Sequence, residues 1–222
     1  MDRPILSYTD ARNMMVDGQV RPNKVTDPRI LDAMRRLPRE RFLPPELASL
    51  AYADEDVTLP GGRALIEPMV IARLVQLLAL RSGDRALVVG AGYGAALCAA
   101  CGASVTAVEE DEAMLRTARA VLPELAPEVS VVAGKLAEGW AGAGRYEAIL
   151  IEGAVEFVPE AIAGQLEPTA GRLVTVLAGT GRLGRAVIGE RNGEGLELSF
   201  QPVFDCATPA LPQFRRAAAF VF

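Results

Sequence analysis

Between Ala86 and Val132 the apolar pattern of this 222-residue chain changes period four times. Ala86–Val89 is a short continuous apolar run, Gly90–Gly94 a turn, Ala95–Cys101 helical, Val105–Val108 a strand, Glu112–Val121 a helix and Val129–Val132 a strand. Continuous apolar runs bounded by turns read as strands buried on both faces, and helices between them read as crossovers. The chain is therefore expected to form an α/β fold with a mostly parallel sheet covered on both sides. Ala148–Ile151 and Arg172–Leu177 continue the sheet around a helical segment at Pro159–Leu166, and strands near 184–190 and 196–203 precede a terminal run at Arg216–Phe222. Ahead of the sheet, 9–20 and 26–37 read as helices, the second capped by Thr26 and ended by Pro38. Prolines and glycines then come too often for regular elements until Pro68, apart from a short strand near Val57–Leu59; from Pro68 a helix shows an apolar face at Val70, Ile71, Leu74, Leu77 and Leu78. No linker divides the chain. It reads as one domain over 1–222, with a helical preface and loop over 1–67 and a sheet domain over 68–222.

Composition narrows the chemistry. There is no histidine, which excludes Ser-His-Asp hydrolysis, Cys-His chemistry and most zinc sites, so no metal is expected. A net charge of -5 argues against a general phosphate-backbone binder, and no nucleic acid partner is expected. Three cysteines are too few and too uneven for a disulfide framework and point to a reducing cytoplasm. The first residues carry charges where a secretion signal needs an apolar run, and no stretch of about 18 uninterrupted apolar residues follows, so neither export nor a membrane span is expected. Oligomeric state has no signature here. Cys98-Ala-Ala-Cys101 has redox spacing but lies in an alanine-rich helix with no second ligand pair, and reads as core, as does Trp140 at a strand-to-loop junction.

Gly90-Ala91-Gly92-Tyr93-Gly94 joins the first buried strand to the next helix. Residues without a Cβ let a ligand approach the backbone there, and the N–H groups of the helix start favour polar or anionic atoms. The second strand ends at Glu109, 19 positions after Gly90, where a carboxylate can accept from both hydroxyls of a ribose. Turn and acid together predict a nucleoside cofactor. Gly90-x-Gly92-x-x-Ala95 also satisfies the dinucleotide fingerprint, so NAD(P) and an oxidoreductase stand as the rival to S-adenosylmethionine; the long stretch before the first sheet strand favours the methyl donor.

Seven segments in order resemble the protein-L-isoaspartate O-methyltransferase family, from about Met15 to Ala178. Leu37-Pro-Arg-Glu-Arg-Phe-Leu-Pro44 is similar to V-P-R-E-x-F-V-P, Ala51-Tyr-Ala-Asp54 to A-Y-x-D, and Gly62-Arg-Ala-Leu-Ile-Glu-Pro68 to G-Q-T-I-S-x-P. The glycine turn and the strand ending in Glu109 follow, then Gly134-Lys-Leu-Ala-Glu-Gly-Trp140 for G-D-G-x-x-G-W and Tyr146–Ala154 for the fourth-strand motif. The resemblance implies a Rossmann-like class I methyltransferase fold with a mostly parallel sheet of seven strands and a reversed seventh strand, S-adenosyl-L-methionine as donor, and methylation of isoaspartyl carboxylates in damaged proteins. It places the donor on Gly90, Ala91, Gly92, Gly94, Glu109, Glu110, Lys135, Leu136 and Glu152, and the substrate on the loop Arg63, Ala64, Leu65, Ile66 and Glu67. Such a transfer needs no histidine, because a carboxylate is already ionised at neutral pH.

The chain departs from the family at three places. Ile66 stands where the substrate-facing serine belongs, so no catalytic residue is assigned, and Glu67 adds a negative charge beside it. Arg63 either turns inward to compensate or forms a solvated pair with Glu67. Val88 replaces the acid that ends the first strand, and Lys135 replaces the adenine-facing aspartate, leaving backbone groups of Lys135 and Leu136 for the adenine edge. A relative that keeps donor binding but uses another acceptor, or none, is the alternative. The tail Phe204–Phe214 is expected to pack near the substrate loop.

Overall fold

A computed structural model describes residues 7–179, 183–193 and 195–216. Helix α1 (Tyr8–Met15) is capped by the Ser7 side chain, which accepts from the Asp10 N–H, and runs on into a π-helical turn at Val16–Val20 and a 3-10 turn at Arg21–Asn23. The helix expected over 9–20 is thus regular only to Met15. Helix α2 (Pro28–Arg36) is capped by Asp27 and not by Thr26. Pro28 takes the first helical position, which makes its predecessor the cap, and the Thr26 N–H donates instead to the Gln76 side chain at 2.7 Å.

Within the long proline-rich stretch, β1 (Val57–Leu59) and β2 (Arg63–Leu65) form a small antiparallel hairpin, with Val57 opposite Leu65 and Leu59 opposite Arg63. Helix α3 (Pro68–Leu77) leads into the main sheet: β3 (Arg85–Val89), α4 (Tyr93–Ala100), β4 (Ser104–Glu109), α5 (Glu112–Leu125), β5 (Ser130–Ala133), β6 (Ala148–Val155), α6 (Glu160–Ala163), β7 (Arg172–Ala178), β8 (Gly184–Arg191) and β9 (Leu198–Cys206). The seven strands lie in the order β5-β4-β3-β6-β7-β8-β9. The first five are parallel, β8 is antiparallel to β7, and β9 is antiparallel to β8. The reversed strand is therefore the sixth in chain order; the seventh, expected to be reversed, lies at the edge and runs with the parallel set. A short hairpin connection keeps β8 beside β7 and β9 beside β8, whereas inserting the last strand between two others would need a longer crossing. The terminal run expected over Arg216–Phe222 lies, beyond Arg216, outside the described residues.

Met15, Val16, Ile30, Met34, Phe42 and Tyr52 share one buried cluster with α3, α4 and the near face of β3, β4 and β6. Preface and sheet thus close a common core, where each buried large apolar side chain contributes about 1.5–3 kcal/mol. Cys98 and Cys101 are buried and unbridged in that cluster. Leu87, Val89, Ile149, Ile151, Leu173 and Phe214 cover the other face with Trp140 packed against them. The tail crosses the carboxyl edge of the sheet: Leu211 N–H donates to the Ala154 carbonyl at 2.8 Å, and Pro212 packs on Gly62 of the hairpin, as expected.

Candidate active site

Parallel pairing of β3 and β4 sets Val89 opposite Val108, so the glycine turn and Glu109 leave the sheet side by side. Gly90 donates to the Val108 carbonyl at 2.9 Å and has a φ of 102°, a conformation that disfavours any side chain. Glu109 is fully buried. Its carboxylate accepts from the backbone N–H groups of Ala91 (3.3 Å), Glu110 (2.9 Å) and Asp111 (3.0 Å). The same carboxylate is gripped by Arg63, whose Nη1 donates to Oε1 at 3.1 Å and to Oε2 at 3.0 Å. Arg63 belongs to β2, so the hairpin reaches over the carboxyl edge and lays its guanidinium on Gly90, where an added Cβ would fall 2.6 Å from Nη2. Neither outcome expected for Arg63 is found: it turns inward, yet onto Glu109, and it makes no pair with Glu67.

Glu152 enters from β6. Its Oε1 accepts from the Gly94 N–H at 3.2 Å, and a Cβ on Gly92 would stand 2.7 Å from the same oxygen, which is why the turn needs glycine there. Oε2 is buried with no hydrogen-bond partner. Burial pushes the Glu152 carboxyl up to about 7, against the opposing pull of the Gly94 amide and the charges of Arg63 and Arg39.

The flank of the site comes from the loop after β5. Glu110 accepts from the Leu136 N–H at 2.9 Å and so fixes this loop against the end of β4. Lys135, expected to meet the donor through its backbone, puts its ammonium in solvent, 2.9 Å from Glu138 on the next short turn. A long cation gains more from water and a neighbouring carboxylate than from a dry cleft. Leu136 is fully buried. Trp140 is half-buried, its carbonyl accepts from the Tyr146 hydroxyl at 2.7 Å, and it serves the core.

The loop resembling the substrate segment is held from beneath by a residue whose role the sequence did not disclose. Arg39 is fully buried, donates Nε to the Ala51 carbonyl at 2.9 Å and Nη2 to the Ile66 carbonyl at 2.7 Å, and lies 4.8 Å from the centre of the Tyr93 ring. The Tyr52 hydroxyl donates to Glu40, so the second recognised segment is tied to the first. The only sequence signal for Arg39 was its place in the motif. Ile66 is buried at 1% exposure and turns its side chain into the core. Glu67 donates its N–H to Asp56 Oδ1 at 2.6 Å, and burial together with Asp54 and Asp56 pushes its carboxyl up. Ala64 is half-buried and Leu65 buried. Beyond the hairpin a cleft of about 560 Å³ opens, lined by Asp56, Thr58, Ala154, Thr208 and Arg215 among others.

A nucleoside fits the fixed parts of this site: a strand-end carboxylate, a turn with no side chains, and a loop amide edge. One movable part is in the way. The cavity bounded by Arg63, Gly92, Tyr93, Glu109 and Glu152 measures about 30 Å³, against the 300–1,000 Å³ usual for a bound small molecule. The guanidinium of Arg63 occupies the space in front of the Glu109 carboxylate, so no ligand reaches that carboxylate while the side chain stays there.

A seven-stranded, mostly parallel sheet with helices on both faces, N-terminal helices and a strand order that reverses between β3 and β6 is the fold of Rossmann-like class I methyltransferases. Among solved structures, a protein-L-isoaspartate O-methyltransferase superposes with a TM-score of 0.73 at 22% identity, over 90% of this chain and 65% of that one. A Plasmodium falciparum structure, titled a putative protein-L-isoaspartate O-methyltransferase in complex with S-adenosyl-L-homocysteine, superposes with a TM-score of 0.73 at 15% identity, over 91% of this chain and 98% of that one. The sequence profile of the family Protein-L-isoaspartate(D-aspartate) O-methyltransferase matches residues 11–194. Protein-L-isoaspartate O-methyltransferases of Methylorubrum extorquens and Rhodopseudomonas palustris are 41% identical over 77% of this chain and 75% of theirs, and 37% identical over 72% and 74%. This chain belongs to the protein-L-isoaspartate O-methyltransferase family.

Proposed function

We propose that this chain is an S-adenosylmethionine-dependent methyltransferase that esterifies carboxylates of the isoaspartyl kind in proteins or peptides, acting in the cytoplasm. The observation that carries the reading is Glu109, buried at the end of β4 beside the glycine turn in a chain of this family. Family membership favours the methyl donor over a dinucleotide. When bound, the donor supplies a methyl group on a sulfonium. The chain itself holds and orients. Glu109, once released by Arg63, accepts from the ribose hydroxyls; Glu110 keeps the amide edge of Leu136 in place; the hairpin covers the site and excludes water. No residue needs to take a proton, since the acceptor is ionised, and alignment alone can supply about 7–11 kcal/mol in well-oriented cases. Incubation with methyl-labelled donor and an isoaspartyl peptide is expected to give a base-labile methyl ester. No ester at high enzyme concentration would remove the acceptor assignment.

A second reading, donor binding with a different acceptor, is favoured by one feature. Ile66 offers no hydrogen bond, and the polar groups flanking it, Asp56 and Glu67, are carboxyls that repel an anionic substrate. A charge-assisted hydrogen bond is worth about 1.5–3 kcal/mol, so its absence weakens recognition of a carboxylate by roughly 10- to 150-fold.

A further inference from the structure

S-adenosylmethionine ends in an α-amino acid, whose ammonium needs an anionic partner when it is taken out of water. On β3 the position that would supply it is Val88, buried in the core. The adjacent strand supplies a carboxylate instead. Leu150 of β6 pairs with Val88, and Glu152 follows two residues later, within a stretch where the register against β7 shifts between Leu150 and Ala154. Such irregularities re-aim side chains, and here the carboxylate is carried into the concave side of the Gly90–Gly94 turn. Oε1 is held by the Gly94 N–H, whereas Oε2 is buried and unpartnered. A buried acceptor left without a donor is costly and calls for a partner. The Arg63 guanidinium, seated on Gly90, lies close enough for its charge to act on Glu152.

We propose that Glu152 is the acceptor for the donor's α-ammonium, replacing from β6 the acid that β3 lacks. This rests on the donor reading above. The test is calorimetric titration of wild type and Glu152→Gln with S-adenosylhomocysteine, with its α-deaminated analogue, and with 5′-methylthioadenosine, which lacks the amino-acid end. Glutamine keeps the shape and an oxygen for the Gly94 N–H. Wild type is expected to prefer S-adenosylhomocysteine over the deaminated analogue at least tenfold. Glu152→Gln is expected to lose that preference while its affinity for methylthioadenosine stays within twofold. An unchanged preference in the variant, equal loss of all three ligands, or no preference in wild type overturns the assignment. Should the glutamine variant not fold, Glu152→Asp keeps the charge with shorter reach and is expected to cut the preference to a few-fold; full preference there overturns it as well. If wild type binds none of the three, it is the donor reading that fails, and the role of Glu152 falls with it.

Discussion

Removing the guanidinium of Arg63 is expected to move stability and donor affinity in opposite directions. In Arg63→Ala the buried Glu109 loses the cation that contacts both its oxygens but keeps the amides of Ala91, Glu110 and Asp111. Deleting one member of a buried ion pair costs about 3–5 kcal/mol, and the remaining amides place the loss near the lower end. The same deletion frees Glu109 for a ribose. Release from one charge-assisted partner is worth about 1.5–3 kcal/mol, which corresponds to roughly 10- to 150-fold tighter binding. Thermal unfolding and calorimetric titration with S-adenosylhomocysteine, on the same preparations, read both quantities. A variant that is less stable and also binds more weakly would refute the reasoning, because Arg63 would then be a donor ligand and not a competitor.

Other perturbations follow from the same geometry. The Glu152 carboxyl is raised from 4.5 to about 7 by burial, so the folded protein binds more protons than the unfolded chain between those values and loses stability as pH rises through that window, by about 3 kcal/mol at full effect; denaturant unfolding from pH 4.5 to 8 should show this fall, and Glu152→Gln should flatten it. Arg39→Met strands the carbonyls of Ala51 and Ile66 inside the protein and is expected to cost about 3–5 kcal/mol in denaturant unfolding, with a loss of the same order for Arg39→Ala. Ile66→Ser, at a site buried to 1% with its side chain in the core, is expected to cost about 2–4 kcal/mol with no gain in isoaspartyl methylation; a rise in ester formation would mean that the loop turns this side chain outward to an acceptor.

The sheet could be read from the chain because β3, β4 and β6 are buried on both faces, and such strands carry their signal in a few consecutive residues. Glu109 was readable for a related reason: parallel register fixes which residues emerge together at the carboxyl edge. The order of the last strands was not readable, since periodicity identifies a strand and says nothing of its neighbours. Nor was the posture of Arg63, which depends on a hairpin only three residues wide meeting a carboxylate 46 positions later in the chain. The cap of α2 was missed by one residue because Thr26 and Asp27 are both good caps and only the tertiary bond to Gln76 separates them. The exposed side chain of Lys135 carries no signal in its motif, since a long cation at that position is held by water and Glu138. At Glu152 the motif gave the residue, and the shifted register of β6 gave it an unsatisfied oxygen.

The two rims of the main sheet differ in how they resist lateral growth. On one side β5 is only four residues long, too short to template a stable addition. On the other, β9 spans nine residues, yet it carries Pro202, which has no N–H to offer, at the point where its register with β8 slips, and charged Asp205 close to its end. A strand from another molecule docking there would find its ladder interrupted midway. Neither rim thus offers a foreign strand a continuous row of backbone partners, which removes the usual starting point for edge-to-edge aggregation.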